Sequence, residues 1–232
     1  MGLIFLVKNK QFETVSLLSS GDIMEFTQKN SIKTLAILIL LAAFIQPIYT
    51  LLYQMAPDVN RKILWRLEAL IFVLMAAFAG AAMVTSDKRY ALGFSAVAFS
   101  TVLNVSQVGI GLLNFGPFRE ASQAYDKLGS MSFSVIALSF FLYNAAKVLL
   151  GLAAVKFGMA KLKQGGKVLG GLAVASGIVA LITNALVMMF GIQALKIGTL
   201  EIKMVAGASG VVATLFLAIC LFGMDDKEDA DT

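Results

Sequence analysis

SFFLYNAAKVLLGLAAVKFG, from Ser139 to Gly158, is an apolar stretch with Asn144 and Lys147 near its middle. About 20 apolar residues at a rise of 1.5 Å per residue are enough to cross a bilayer as a helix. A lysine at that depth costs about 2.5 kcal/mol or more, so polar groups are needed around it. The stretch therefore predicts a transmembrane helix that carries part of a polar site.

The composition of the whole chain indicates the same class of protein. Of its 232 residues, 59% are hydrophobic and only 14% are charged, and the mean hydropathy is +0.84. These values lie outside the range of soluble globular domains. The apolar runs are also far too long for the alternating strands of a membrane β-barrel. We therefore predict an all-α integral membrane protein.

Six apolar runs are long enough to span a membrane, and the connections between them are short, the longest being 116–130. The runs cover 33–54, 63–85, 91–115, 131–158, 168–195 and 202–223. They predict a bundle of six transmembrane helices with short loops over 32–223. Residues 1–31 form a lead-in, for which translation from Met24 is an alternative start, and residues 224–232 form an acidic tail.

The placement of lysine and arginine predicts the orientation. More of them fall on the side that carries both termini than on the other side. Positively charged loops normally stay in the cytoplasm. We expect a multi-pass protein of the cell (inner) membrane, with both termini and the acidic tail in the cytoplasm.

Polar side chains from four runs share nearly one depth. Measured from the midpoint of each run, they fall within a slab less than roughly 12 Å thick. The set consists of Gln46, Asn104, Gln107, Asn144, Lys147 and Asn184. Two interpretations stay open. Single amides commonly join helices, at about 0.6 kcal/mol per hydrogen bond, whereas amides gathered around a buried lysine favour a water-filled cavity or a ligand site.

Glu68 is the carboxylate that could balance Lys147. It lies about 9 Å from the midpoint of its run, towards the outer side, and its side chain leans further outward. We therefore expect Glu68 to meet interfacial water or Arg61 rather than to pair with Lys147.

Small and polar residues recur on one face of both the third and the fifth run. The third run has Gly93, Ala96, Ser100 and Gln107, and adding 77 to each number gives Gly170, Ala173, Gly177 and Asn184. Close helix packing explains the small residues. An old duplication, of the kind that places sites between repeats in transporters, is the alternative.

Several classes of function are excluded or disfavoured. The chain has no histidine and one cysteine, Cys220, so histidine-ligated haem, histidine-ligated zinc, His-assisted nucleophiles and an internal disulfide are excluded. We predict no catalytic residues, no metal, no cofactor and no enzymatic activity. No basic stripe with interleaved aromatic residues is present, so we expect no nucleic-acid partner.

Two functions remain. The first is a transporter or channel-like protein whose midplane site binds a small polar or anionic solute through Lys147 and the five amides. The alternative is a non-catalytic subunit, or an assembly or scaffold factor, of a larger membrane complex. The expected partners are the lipid bilayer and either a membrane-protein partner or a second copy of the chain.

Overall fold

The computed structural model describes residues 28–55, 62–191, 196–197 and 200–224. The predicted lead-in up to residue 27, the alternative start at Met24, Arg61 and the acidic tail from residue 225 lie outside the described residues. The predictions made for them stay predictions.

Six helices account for nearly all of the described chain. They are α1 Gln28–Met55, α2 Lys62–Thr85, α3 Ala91–Ala124, α4 Gly129–Lys163, α5 Lys167–Phe190 and α6 Ile202–Phe222. Short 3-10 turns, Lys88–Tyr90 and Asp126–Leu128, precede α3 and α4, and two antiparallel two-residue strands, β1 Lys196–Ile197 and β2 Leu200–Glu201, precede α6. All six helices are long and apolar enough to cross a membrane. The prediction of six apolar helices is therefore confirmed.

Several helix ends differ from the ends of the apolar runs. Helix α3 continues through Pro117 to Ala124, so most of the predicted connection 116–130 is helical. A helix does not have to stop where its residues become polar, because its backbone hydrogen bonds are internal. Helix α5 ends earlier than its run, since Gly191 adopts a φ of +81°, which terminates the helix.

Five of the helices pack as a ring, and α5 packs on the outside of it. Helix α1 packs against α2 and α6, α2 against α3, α3 against α4, and α4 against α6, while α5 covers the side formed by α4 and α6. Buried apolar side chains such as Phe94, Leu150, Phe157 and Leu217 form the core. We call the end of the bundle at which α2, α4 and α6 begin the upper end.

Glycines bring α4 close to its neighbours in the lower half. A Cβ added at Gly177 of α5 would lie 2.7 Å from the carbonyl oxygen of Gly151, and one at Gly170 would lie 2.7 Å from that of Gly158. On α3, a Cβ at Gly93 would lie 2.6 Å from the ring of Phe157. The small-residue faces of α3 and α5 thus pack against α4. The predicted duplication stays a prediction.

Candidate functional site

Lys147 lies in the middle of α4 and points into the helix ring. Its side chain is only 3% exposed, and its Nζ donates a hydrogen bond to Oε1 of Gln46 on α1 at 2.9 Å. Space for the lysine comes from α6, since a Cβ at Gly210 would lie 3.0 Å from Cδ of Lys147. The structure therefore brings Gln46 and Lys147 together across the bundle, from helices α1 and α4.

Glu68 of α2 belongs to the same region. Its side chain is 7% exposed, and its carboxylate interacts electrostatically with Lys147. Within the described part of the chain these two side chains do not approach to 4.0 Å, the limit of a direct ion pair. Glu68 and Lys147 are therefore neighbouring buried groups of opposite formal charge that are not in direct contact.

Glu68 does not pair directly with Lys147, as expected, and Arg61 lies outside the described residues. The side chain of Glu68 is buried rather than placed in interfacial water, because the helix midpoints misjudge the height of α2 relative to α1. Tyr49 and Trp65 stack with ring centroids 5.3 Å apart. Gln46 lies one turn below Tyr49 on α1, and Glu68 lies one turn below Trp65 on α2. The stacked rings thus hold Glu68 at the height of Gln46.

Tyr143 completes the group. Nζ of Lys147 lies 5.3 Å from the centroid of the Tyr143 ring, within the range of a cation–π interaction. The Tyr143 hydroxyl also interacts with the side chains of Gln46 and Glu68. We call Gln46, Glu68, Tyr143 and Lys147 the lysine site.

Sequence reasoning missed Tyr143 and Gly210, and it considered Glu68 but placed it away from this site. Tyr143 precedes Lys147 by four residues, which places the two on one helical face. Glu68 is the only carboxylate within the six apolar runs. Either signal could have been used. For Gly210 we find no signal, because nothing in one sequence distinguishes it from the other packing glycines.

Aromatic rings cover the lysine site at its upper side. Trp65 stacks on Tyr49 at an interplanar angle of 27° and meets Phe115 edge-on, with 6.1 Å between the centroids. Gly111 admits the indole, since a Cβ there would lie 3.0 Å from Trp65. The rings of Tyr49 and Trp65 therefore lie one turn above Gln46 and Glu68.

Two of the predicted site residues join helices elsewhere. Gln107 donates through Nε2 to Oγ of Ser139 at 3.3 Å and so links α3 to α4. Asn184 donates through Nδ2 to the carbonyl oxygens of Ala180 at 2.7 Å and Ala206 at 3.1 Å, which links α5 to α6. These contacts correspond to the helix-joining interpretation of the amides.

Asn144 faces away from the lysine site. Its Nδ2 donates to the carbonyl oxygen of Phe140 in its own helix at 2.7 Å. The side chain lines a groove between the upper halves of α4 and α5. Asn144 and Lys147, although only three residues apart, therefore lie in different surroundings.

Asn104 is buried without partners. It is 1% exposed, and neither Nδ2 nor Oδ1 has a hydrogen bond within the described structure. The Gly93–Phe157 contact below and the Gln107–Ser139 contact above place Asn104 near the height of Tyr143. An unpaired buried amide costs about 1–3 kcal/mol per group, and a bound water is the usual remedy.

No cluster of three His, Cys, Asp or Glu side chains suited to a metal occurs among the described residues. Of the other five predicted site residues, only Gln46 contacts Lys147. That the six residues bind a ligand stays a prediction. Comparison of the chain with protein-family models, curated proteins and solved structures gives no match. The functional conclusion therefore depends on the geometry of the lysine site.

Proposed function

We propose that this chain is a multi-pass transport protein of the cell (inner) membrane, and that its lysine site binds a small polar solute midway across the bilayer. The observation that carries the proposal is a buried lysine near a buried glutamate, with no direct contact between the two side chains. Helices α1, α2 and α4 each contribute a side chain to the lysine site.

The energetics favour a functional role for the site. Burying a charge costs several kcal/mol even after relaxation, and the attraction between two charges offsets this only when they are in close contact. Glu68 and Lys147 are buried but not in direct contact. A bundle selected for stability alone would do better with apolar residues at both positions. Polar residues inside transmembrane segments commonly mark the pathway of a substrate.

The charges of the site indicate the class of solute. Lys147 alone would favour an anion, but Glu68 is buried nearby, so the site as a whole carries no formal net charge. Lys147 supplies donors, Glu68 supplies acceptors, and the hydroxyl of Tyr143 can do either. This combination suits a polar solute without net charge, such as a zwitterion, better than a simple anion. Asn104, with two unpartnered atoms near the height of Tyr143, supports water or solute in the same interior.

The alternative prediction is a subunit whose amide layer and glycine faces grip the helices of a partner. Gly93 and Gly177 pack against Phe157 and Gly151 inside the bundle, so these two positions are not open to a partner, whereas Gly80 and Gly171 have nothing within 4 Å. The packing of Gly93 and Gly177 favours the transport proposal at these two positions, and the alternative stays a prediction. That the protein is not an enzyme stays a prediction.

Trp65, the only tryptophan of the chain, is a built-in reporter because it lies one turn above Glu68. The purified protein would be titrated with glycine, betaine, glycerol, glutamate and lactate while Trp65 emission is recorded. We expect a zwitterionic or neutral solute to shift the emission in a saturable manner, and Lys147→Met and Glu68→Gln to abolish the shift. Uptake of the responding solute into proteoliposomes would then be measured.

Lys161→Met is the matched control. Lys161 is also a lysine of α4, and its Nζ donates to the carbonyl oxygen of Gly223 at 2.6 Å, about 21 Å further along the helix. This variant should keep the response. Unchanged binding and uptake in Lys147→Met would contradict the proposal, as would equal losses in Lys147→Met and Lys161→Met.

A further inference from the structure

The groove between α4 and α5 is a second, separate feature of the molecule. It has a volume of about 700 Å³ and is bounded by α4 from Phe133 to Asn144 and by α5 from Val187 to Gly191. We propose that this α4–α5 groove binds a hydrophobic molecule dissolved in the bilayer that carries a phenolic hydroxyl, and that the hydroxyl donates to Oδ1 of Asn144. The inference rests on the helices spanning a membrane and not on the transport proposal.

The groove exists because the packing of α4 and α5 changes along their length. In the lower half, Gly151 and Gly177 let the two backbones touch. Above that contact, α4 carries large side chains such as Phe140 and Phe141, and α5 carries Val187 and Met188. The groove lies beside these side chains and is open at the upper half of the bundle.

Asn144 is the polar feature of this space. Among the described residues that line the groove, it contributes the only polar side chain. It is 4% exposed, and its Nδ2 donates to the carbonyl oxygen of Phe140. Since a carbonyl oxygen can only accept, the amide nitrogen must face Phe140, which leaves Oδ1 as the free group. Oδ1 receives no hydrogen bond from any described residue, so a ligand with a donor would satisfy it.

The height of Asn144 suits a ligand that lies within the hydrocarbon region. The contact between Gly151 and Gly177 places Asn144 near the height of Asn184 on α5, about 9 Å below the end of that helix at Phe190. A molecule that dissolves in the hydrocarbon region can bring a hydroxyl there.

The walls and the size favour a ring with an attached chain. Four phenylalanines line the groove, Phe133, Phe140, Phe141 and Phe190. Aromatic side chains pack well against a planar ring. A cavity of about 150 Å³ is enough for benzene, so the α4–α5 groove has room for a phenol ring and a hydrocarbon tail. Its volume is also within the range of about 300–1,000 Å³ that is usual for ligand pockets.

Two probes that differ in one hydrogen-bond donor test the proposal. 4-Octylphenol has the hydroxyl, and 4-octylanisole has a methyl ether in its place. Apparent dissociation constants would be obtained from the increase in melting temperature with probe concentration, for the purified protein in detergent. We expect wild-type protein to bind the phenol about 10-fold more tightly than the anisole, the effect of one buried hydrogen bond. This comparison of probes requires no variant.

Variants then assign the effect to the groove. Asn144→Leu keeps the bulk of the side chain and should remove the preference for the phenol. Ala137→Phe enlarges one residue of the groove. It should weaken the binding of both probes at least about 10-fold, because the larger side chain fills the space that they would occupy. Asn184→Leu is the control, because this buried amide bonds inside the bundle, and it should keep the preference.

Three results would overturn the proposal. Equal affinity of wild-type protein for the two probes would mean that the groove takes any hydrocarbon chain. Retention of the full preference in Asn144→Leu would place the donor contact elsewhere. Efficient disulfide-linked dimers of a Cys220→Ser, Ile136→Cys variant in vesicles would show that a second copy covers the groove.

Discussion

Asn144 and Lys147 are three residues apart on α4, yet they belong to two different sites. Three residues turn a helix by about 300°, so the two side chains diverge by about 60°. Lys147 enters the ring, where it bonds to Gln46 and lies near Tyr143 and Glu68, whereas Asn144 lines the groove beside α5 and bonds to its own helix. The comparison teaches that equal height on one helix does not imply a common site. One helix can separate a polar interior from an apolar groove on its other side.

The largest effect is expected from removing one charge of the lysine site. Lys147→Met leaves Glu68 buried without its counter-charge, and losing one partner of a buried pair typically costs about 3–5 kcal/mol. We expect the double variant Lys147→Met/Glu68→Gln to be more stable than either single variant, since it removes both charges. Unfolding by denaturant in mixed micelles would give the four free energies. If the losses in unfolding free energy of the two single variants simply add in the double variant, Lys147 and Glu68 do not interact. That result would contradict the lysine site.

A smaller effect is expected where glycines close the floor of the α4–α5 groove. Gly177→Ala forces a Cβ to within 2.7 Å of the carbonyl oxygen of Gly151, and overpacking of this kind costs about 1–3 kcal/mol. Gly171→Ala on the same helix meets nothing within 4 Å and should stabilise α5 by about 0.5–1 kcal/mol. Thermal unfolding of both variants tests this. If the two changes have the same sign, the close contact in the lower half is not real.

The smallest effect is expected from removing an amide, and it should differ between one that joins two helices and one that bonds within its own helix. Asn184→Ala removes two hydrogen bonds, one of them to another helix, and should cost about 1 kcal/mol at about 0.6 kcal/mol per bond. Asn144→Ala removes one bond within its own helix and should cost less. The melting temperatures of both variants, measured without any added ligand, sharpen the comparison. A larger loss for Asn144→Ala would mean that this amide supports the bundle rather than a groove.

Much of the fold follows from properties that a single sequence carries. The number of helices follows from run length, and the approach of Gln46 to Lys147 agrees with their similar depth. The side of the helix on which an amide finds its partner does not follow in the same way. Gln107 and Asn184 share the depth of Lys147 but bond to Ser139 and Ala206, because those directions depend on which helices become neighbours.

Glu68 shows a second limit of sequence reasoning. Its height was inferred from the midpoint of its apolar run, yet the helices are held at heights set by side-chain contacts. Stacking of Trp65 on Tyr49 brings Glu68 down to Gln46. A contact between two particular rings cannot be deduced from hydropathy, so Glu68 could be named as a candidate counter-charge but its height beside Gln46 could not be predicted.

Thiol labelling in membrane vesicles tests the central claim most directly, because it asks whether the lysine site and the α4–α5 groove differ in access to water. Cys220, the lone and buried cysteine, would be replaced by serine, and Gln46→Cys and Asn144→Cys would be made separately. We predict that a charged, water-soluble methanethiosulfonate labels the cysteine at position 46, while the cysteine at position 144 reacts only with an uncharged, lipid-soluble analogue. Equal labelling of both positions by the charged reagent, or none at position 46, would contradict the account.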